Sequence, residues 1–350
     1  MAREFKVGNN HVHDDSDCYV IAEIGHNHQG NFETAKEMIR TAKECGASAV
    51  KFQKRDNRSL FTREYYDKPY DNELSYGATY GLHREALELS KEHFADLIAY
   101  SAELSVDFLA TAFDFKSADL LADIGVAGYK VASGDAKSIP LIKHVASFGK
   151  PLLISTGGCT IEDVHRIYDA VSAANKNICI MQCTASYPCE YAHLDLNVIT
   201  TYRNRFEDVV IGFSDHSNGI AMGPVSYLLG SRVIEKHFTL NRAMRGTDHA
   251  FSLEPVGLRK LVRDLKRTRV ALGSAVKRVH ECEKSPIIKM GKKLVAASSL
   301  PKGHVLTHED VAIKSPGDGL APYELDRVIG KKLLVDIKED GDIMFEALGQ

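Results

Sequence analysis

A chain of 350 residues with 44 basic and 47 acidic side chains carries a formal charge of −3. That balance excludes a general attraction to nucleic acid or to an anionic membrane surface, and no apolar run approaches the roughly 18–20 residues of a transmembrane helix. MAREFKVGNN does not read as a signal peptide. The cysteines (Cys18, Cys45, Cys159, Cys179, Cys183, Cys189 and Cys282) are odd in number and lack CxxC pairs, so reduced core thiols of a cytoplasmic protein are expected.

Eight short apolar segments follow along the first 250 residues, and nearly all end on a polar or ionisable side chain. They are CYVIAE (to Glu23), AVKFQ (to Gln53), DFLAT (to Thr111), YKVAS (to Ser133), PLLIST (to Thr156), ICIMQCT (to Thr184), VVIGFS (to Ser214) and RVIEKH (to His237). Stretches with helical spacing lie between them, such as Asn31–Cys45 and Thr160–Ala174. Buried strands alternating with helices predict parallel strands joined by crossovers, and eight such units close a (β/α)8 TIM barrel of about 250 residues. In that fold the active site lies where the strands end, so polarity gathered at eight strand ends predicts an enzyme with one shared catalytic mouth. Helix-like Leu258–Gly273 closes the barrel. The expected domain plan is a catalytic barrel over 1–279, a linker over 280–290 (HECEKSPIIK) and a small β-rich domain over 291–350, whose β-type runs are broken by Pro-Lys-Gly, Ser-Pro-Gly-Asp-Gly and Glu-Asp-Gly turns. About 60 residues is a marginal size for an independent fold, so this tail is expected to dock on the barrel or on a partner subunit.

The chemistry concentrates at the strand ends. His216 and His237 follow the seventh and eighth predicted strands, beside Asp215 and Glu235, so the two imidazoles are expected to bind one divalent cation with positions left for water and substrate. Lys51 and Lys130 lie inside predicted strands, where an ammonium costs several kcal/mol, on the order of a buried ion, unless it meets an anion. A carboxylate such as Glu23 is the structural partner. Two such lysines with the hydroxyls of Ser133, Ser155 and Ser214 better suit a bound phosphate plus carboxylate. His26 and His28 form an HxH after the first strand, the pattern of binuclear hydrolases, but they fall in the loop, where shaping the pocket is the expected role.

Taken in order, AEIGHNHQG, VKFQ, TAFD, KVASGD, STGG, QCTASYP, GFSDHS, EKHFTL and GTDHAFSLEP resemble the sialic acid synthase family from about Tyr19 to Pro255, and the tail from Lys292 resembles that family's antifreeze-like (SAF) domain. The resemblance implies a transferase that condenses phosphoenolpyruvate with N-acetylmannosamine or its 6-phosphate and releases phosphate. It implies that phosphoenolpyruvate rests on Lys51, Thr111, Lys130, Ser133, Ser155 and Ser214. His216 and His237 would hold Mn²⁺, with Mg²⁺ or Co²⁺ as alternatives. Gln53, Tyr187 and Asp248 would contact the sugar, and Glu23 would handle the proton. A domain-swapped homodimer is implied as well.

Departures from the family pattern carry their own expectations. TAFD has Ala112 where proline is usual, and Ala185-Ser186 stands where some relatives have asparagine, so one contact to phosphoenolpyruvate is lost or rebuilt from Ser186. Glu73–Leu89 resembles the animal-type enzymes that take a 6-phosphorylated sugar, and Arg55, Lys68, His83 and Arg84 are the basic residues near it. Lys314-Ser315-Pro316-Gly317 replaces the Arg-Pro-Gly of many bacterial relatives, so the tail is expected to cover the pocket without reading the acyl group by a charge. Sister synthases of legionaminic, pseudaminic or KDN type are the near alternatives. A metal-dependent hydrolase using His26, His28, His216 and His237, and a non-catalytic sugar-binding protein, are the remote ones.

Overall fold

The computed structural model describes residues 3–349 and divides into two compact units between Gly273 and Ser274. The first opens with an antiparallel hairpin, β1 (Glu4–Val7) and β2 (Asn10–His13). Eight parallel strands then close a barrel: β3 (Tyr19–Gly25), β4 (Ala49–Lys54), β5 (Asp107–Ala112), β6 (Gly128–Val131), β7 (Leu152–Ser155), β8 (Ile178–Cys183), β9 (Val210–Asp215) and β10 (Val233–His237), with β10 pairing back onto β3. All eight coincide with the apolar segments read from the sequence, and the expected TIM barrel is present.

Helices cover the outside of the barrel because each carries one apolar stripe and a local start signal. Phe32–Glu44 buries Ala35, Met38, Ile39 and Ala42, and the Asn31 side chain accepts the Thr34 N–H at its start. Ile161–Ser172 buries Val164, Ile167 and Val171 behind a capping box of Thr160 and Asp163. Asp114 of the TAFD motif caps Phe115–Asp123 in the same way, so the exchange at Ala112 leaves the following helix start intact. The connection after β4 is the longest and contains the short helices Asn57–Leu60, Arg63–Asp67 and Tyr80–Glu85 before Lys91–Glu103. The hairpin plugs the opposite end of the barrel, where Phe5, Val7 and Val12 pack among inward residues such as Leu109, Met181 and Val233.

The closing helix runs from Pro255 to Leu272, three residues earlier at its start than the sequence pattern suggests. The expected linker 280–290 is mostly helical instead: Glu281–Met290 begins with a capping box in which the His280 N–H donates to Glu283 Oε2 at 2.7 Å, and it tolerates Pro286 inside. Its residues bury nothing, which is why no apolar periodicity announced it. In the second unit β11 (Lys293–Ala296) pairs antiparallel with β12 (Val311–Lys314). Isolated bridges such as Leu300–Ile337 and Leu333–Leu348 complete a fold around Leu294, Leu306, Val328 and Ile343. The seven cysteines form no disulfide, and among the described residues no helix is long and apolar enough to cross a membrane.

Candidate active site

Strand register builds the site. Glu23 stands opposite Lys51, Gln53 opposite Thr111, Thr111 opposite Lys130, Cys183 and Glu235 opposite Ser214, and His237 opposite Glu23. These positions share one level near the C-terminal ends of the strands, where TIM barrels carry their chemistry. The cavity there holds about 540 Å³, and all twelve side chains expected from the sequence line it: Glu23, Lys51, Gln53, Thr111, Lys130, Ser133, Ser155, Tyr187, Ser214, His216, His237 and Asp248. Alternation along β10 points Glu235 and His237 inward and Lys236 outward, where Lys236 pairs with Asp215 at 2.7 Å. Of the two carboxylates beside the histidines, therefore, only Glu235 reaches the cavity. Gly25 bends the end of β3 at φ +53°, and a Cβ there would stand 3.2 Å from Glu23 Oε1 and 3.1 Å from Gln53 Nε2. The left-handed backbone favours glycine there, and a side chain would also press on Glu23 and Gln53.

A buried ionic cluster forms the floor of the cavity. Lys51 Nζ lies 2.7 Å from Glu23 Oε2 and 3.6 Å from Glu235 Oε1, and it donates to Thr111 Oγ1 at 2.9 Å. Lys130 is held more loosely, 3.9 Å from Glu235 Oε1 and 3.3 Å from its neighbour's carbonyl. Burial pushes the Glu23 carboxyl upward against the pull of Lys51. Burial acts the same way on Glu235, but Lys130 and Lys51 more than offset it and hold that group down at about 2. The two carboxylates are thus driven apart, one towards carrying a proton and one fixed as an anion. Burial lowers Lys130, whereas its two carboxylate neighbours outweigh burial and raise Lys51.

Four buried polar atoms in this lining have no hydrogen-bond partner, Glu23 Oε2, Ser155 Oγ, Glu235 Oε2 and His237 Nδ1, and of these Glu23 Oε2 is ion-paired with Lys51. Buried polar groups normally find one. The rings of His216 and His237 are 5.5 Å apart between centroids. His216 Nδ1 lies 2.9 Å from the Thr184 carbonyl, which fixes the proton on that nitrogen and leaves Nε2 with its lone pair. Asp248 Oδ2 stands 3.7 Å from His237 Nδ1. Among the described residues no group of three His, Cys, Asp or Glu side chains is arranged to hold a metal, so the donors on offer are two imidazoles with open positions. The Tyr187 ring lies 4.2 Å from that of His216 at the rim.

Other expectations resolve differently. The HxH pair does not converge on a common point: His28 stacks on Phe52 and its Nδ1 accepts the Gly30 N–H, while His26 meets two arginines. Of the four basic residues near the animal-type segment, Arg55 and Arg84 line the cavity. His83 instead takes the Tyr76 N–H on Nδ1, and Lys68 is exposed beside Tyr65. Ser186 does not replace the missing asparagine, because its hydroxyl donates to the Pro188 carbonyl while the Ala185 methyl lines the cavity. In the second unit the Ser315 hydroxyl accepts from Lys292 at 2.7 Å, and Lys314 pairs with Asp340. The sequence reading missed Glu235 as a cavity anion, although its i, i+2 relation to His237 was the available signal.

Comparison with known proteins identifies the family. Residues 38–277 match the NeuB family and 293–348 the SAF domain. The chain is 39% identical to the N-acetylneuraminate-9-phosphate synthase of Homo sapiens, covering 94% of this chain and 92% of that one. It is 32% identical to the N,N'-diacetyllegionaminic acid synthase of Legionella pneumophila over 94% of each. The crystal structure of the N-acetylneuraminic acid (sialic acid) synthetase of Leptospira borgpetersenii in complex with citrate superposes with a TM-score of 0.71 at 28% identity, covering 82% of this chain and 96% of that one. The chain belongs to the NeuB family: it is a sialic acid synthase-type transferase with a SAF domain.

Proposed function

We propose that this enzyme condenses phosphoenolpyruvate with an N-acylmannosamine-type aldehyde to give a nonulosonic acid and inorganic phosphate. The observation that carries the reading is the group of orphaned buried atoms, Ser155 Oγ, Glu235 Oε2 and His237 Nδ1, beside two lysines in one cavity. A lining that leaves such atoms unpaired is complementary to a polar ligand. Four cationic side chains face three carboxylates there, which suits anionic substrates.

In this reading Lys130, Ser155 and Ser214 hold the phosphate, with Lys51, Thr111 and Ser133 completing the phosphoenolpyruvate contacts. Carbon 3 of the enol forms the new bond to the aldehyde carbon, and positive charge appears at carbon 2. Glu235, held ionised by the lysines, faces that charge. Water adds at carbon 2 and gives up one proton, which balances the one delivered to the aldehyde oxygen; collapse to the ketone then breaks the bond between carbon 2 and the phosphate oxygen, and the remaining hydroxyl proton leaves on inorganic phosphate. Glu23, raised by burial and fixed by Lys51 and Gln53, delivers a proton to the former aldehyde oxygen. Gln53, Tyr187 and Asp248 orient the sugar. His216 Nε2 and His237 suit Mn²⁺, Mg²⁺ or Co²⁺ in donor chemistry, and such an ion would supply polarisation of the aldehyde oxygen.

A phosphate-release assay over free and 6-phosphorylated N-acylmannosamines, with Mn²⁺ and with chelator, tests this. Release that requires both phosphoenolpyruvate and one of these sugars, and stops with chelator, is expected. Release without phosphoenolpyruvate dependence would instead favour a hydrolase, against which the divergence of His26 and His28 already speaks. A cytoplasmic, domain-exchanged homodimer belongs to the same proposal, and light scattering that reports a monomer would remove that part.

A further inference from the structure

The two histidines of the cavity are not joined by the sheet. The last paired residues of β9 and β10 are Asp215 and Lys236, one step before His216 and His237. Beyond them His216 is held towards the loop after β8: its carbonyl accepts the Cys189 N–H at 2.9 Å, and its Nδ1 meets the Thr184 carbonyl. On the other side His237 pairs with Glu23 of β3. The backbone thus draws the two imidazoles to different neighbours, although the metal reading requires them at one spacing.

A buried charge bridges the gap. Lys236 and Asp215 are each 2% exposed, and neither lines the cavity. Lys236 Nζ lies 2.7 Å from Asp215 Oδ2 and also donates to the Ser217 carbonyl, while the Ser217 N–H donates to Asp215 Oδ1 at 2.8 Å. One ammonium therefore grips the residues on both sides of His216, and it belongs to the residue before His237. Stability alone does not account for this pair. Desolvating two charges offsets most of their attraction, and a well-packed apolar pair of similar volume would join the strands as well or better. An apolar pair lacks direction, whereas hydrogen bonds fix where the partners stand.

We infer that the Lys236–Asp215 pair is a positioning device behind the barrel wall, which sets the spacing of His216 and His237 and through it the affinity of the site for a divalent cation. The inference rests on the reading of these histidines as metal donors. Outer partners of metal-binding imidazoles commonly act by orienting the rings. Lys236 and Asp215 do so through the backbone, since their hydrogen bonds run to each other and to Ser217.

Titration of the intact protein with Mn²⁺, read by the loss of the free-ion electron paramagnetic resonance signal, tests this without turnover. Asp215→Asn should weaken Mn²⁺ binding by about 10- to 100-fold. It also leaves a buried ammonium unpaired, so the melting temperature should fall by roughly 5–10 °C. Combining Asp215→Asn with Lys236→Met removes both charges. The double variant should regain most of the lost melting temperature, while its Mn²⁺ binding stays weakened. Its metal-free affinity for phosphoenolpyruvate, measured by calorimetry, should be nearly unchanged. Recovery of Mn²⁺ affinity together with stability would overturn the inference and leave the pair purely structural. So would an equal fall in phosphoenolpyruvate affinity, which would mean that the whole mouth had shifted. Wild-type protein that takes up no Mn²⁺ would remove the metal reading itself and the inference with it, an outcome distinct from the other two.

Discussion

The two ends of the barrel are made by the same alternation of side chains and finished in opposite ways. At the hairpin end Phe5, Val7 and Val12 fill the interior among Leu109, Met181 and Val233. Half-buried Asp107 there accepts from the Tyr19 hydroxyl at 2.7 Å and the Asn10 amide at 2.8 Å. At the strand C-termini the side chains are no less ordered, yet Ser155, Glu235 and His237 each keep an unpaired buried atom. Satisfied polarity marks the end that stabilises the fold, and unsatisfied polarity marks the end that binds. Substitutions at the two ends should therefore separate stability from turnover.

The largest effect should come from His237→Ala at the open end. Removing one of two imidazole donors should lower kcat/KM by roughly 1000-fold through several kcal/mol of lost charge stabilisation, with the melting temperature nearly unchanged. Metal titration and the phosphate-release assay read this together, and near-normal turnover would contradict it. At the closed end Phe5→Ala should do the converse, costing about 3–5 kcal/mol of stability by opening a cavity while KM values stay put. Denaturant unfolding measures the first and steady-state kinetics the second.

Within the open end the lysines should differ. Lys130→Met should raise the KM for phosphoenolpyruvate by about 10- to 100-fold, since a loosely held ammonium is free to meet an anion. Lys51→Met should in addition lower stability by about 3–5 kcal/mol, because Glu23 and Glu235 lose the cation between them. Identical stability in the two variants would show that Lys51 is not the keystone of the cluster. The smallest effect belongs to Ser155→Ala. It removes a hydroxyl with no protein partner, so stability should hold or rise slightly while the KM for phosphoenolpyruvate rises about 5-fold, on the order of one neutral hydrogen bond.

Much of this was legible in the sequence because the governing signals are local. Eight apolar runs ending in polar residues gave the strands, and the residues one expects at the mouth do meet there, since a barrel brings every strand end to one place. What stayed hidden depended on partners distant in the chain or on weak patterns. Glu73–Leu89 reads as polar and aromatic, and only the fold carries Arg84 to His26 beside Arg55. Glu23 is already the carboxylate partner that the sequence suggests for a strand lysine, but only the β3–β4 register singles out Lys51 for it. The hairpin Glu4–His13 has just four residues per strand around Gly8-Asn9, too short to stand out from an N-terminal segment. The helix Glu281–Met290 packs nothing and contains proline, so both of its signals pointed to a linker.

The central claim is that the unpaired atoms at the strand ends await phosphoenolpyruvate. A crystal structure with phosphoenolpyruvate bound and no sugar tests it most directly. The account predicts phosphate oxygens within about 3.2 Å of both Lys130 Nζ and Ser155 Oγ, with the Lys51–Glu23 pair retained beneath. Phosphoenolpyruvate bound elsewhere, with Ser155 Oγ still unpartnered, would contradict it.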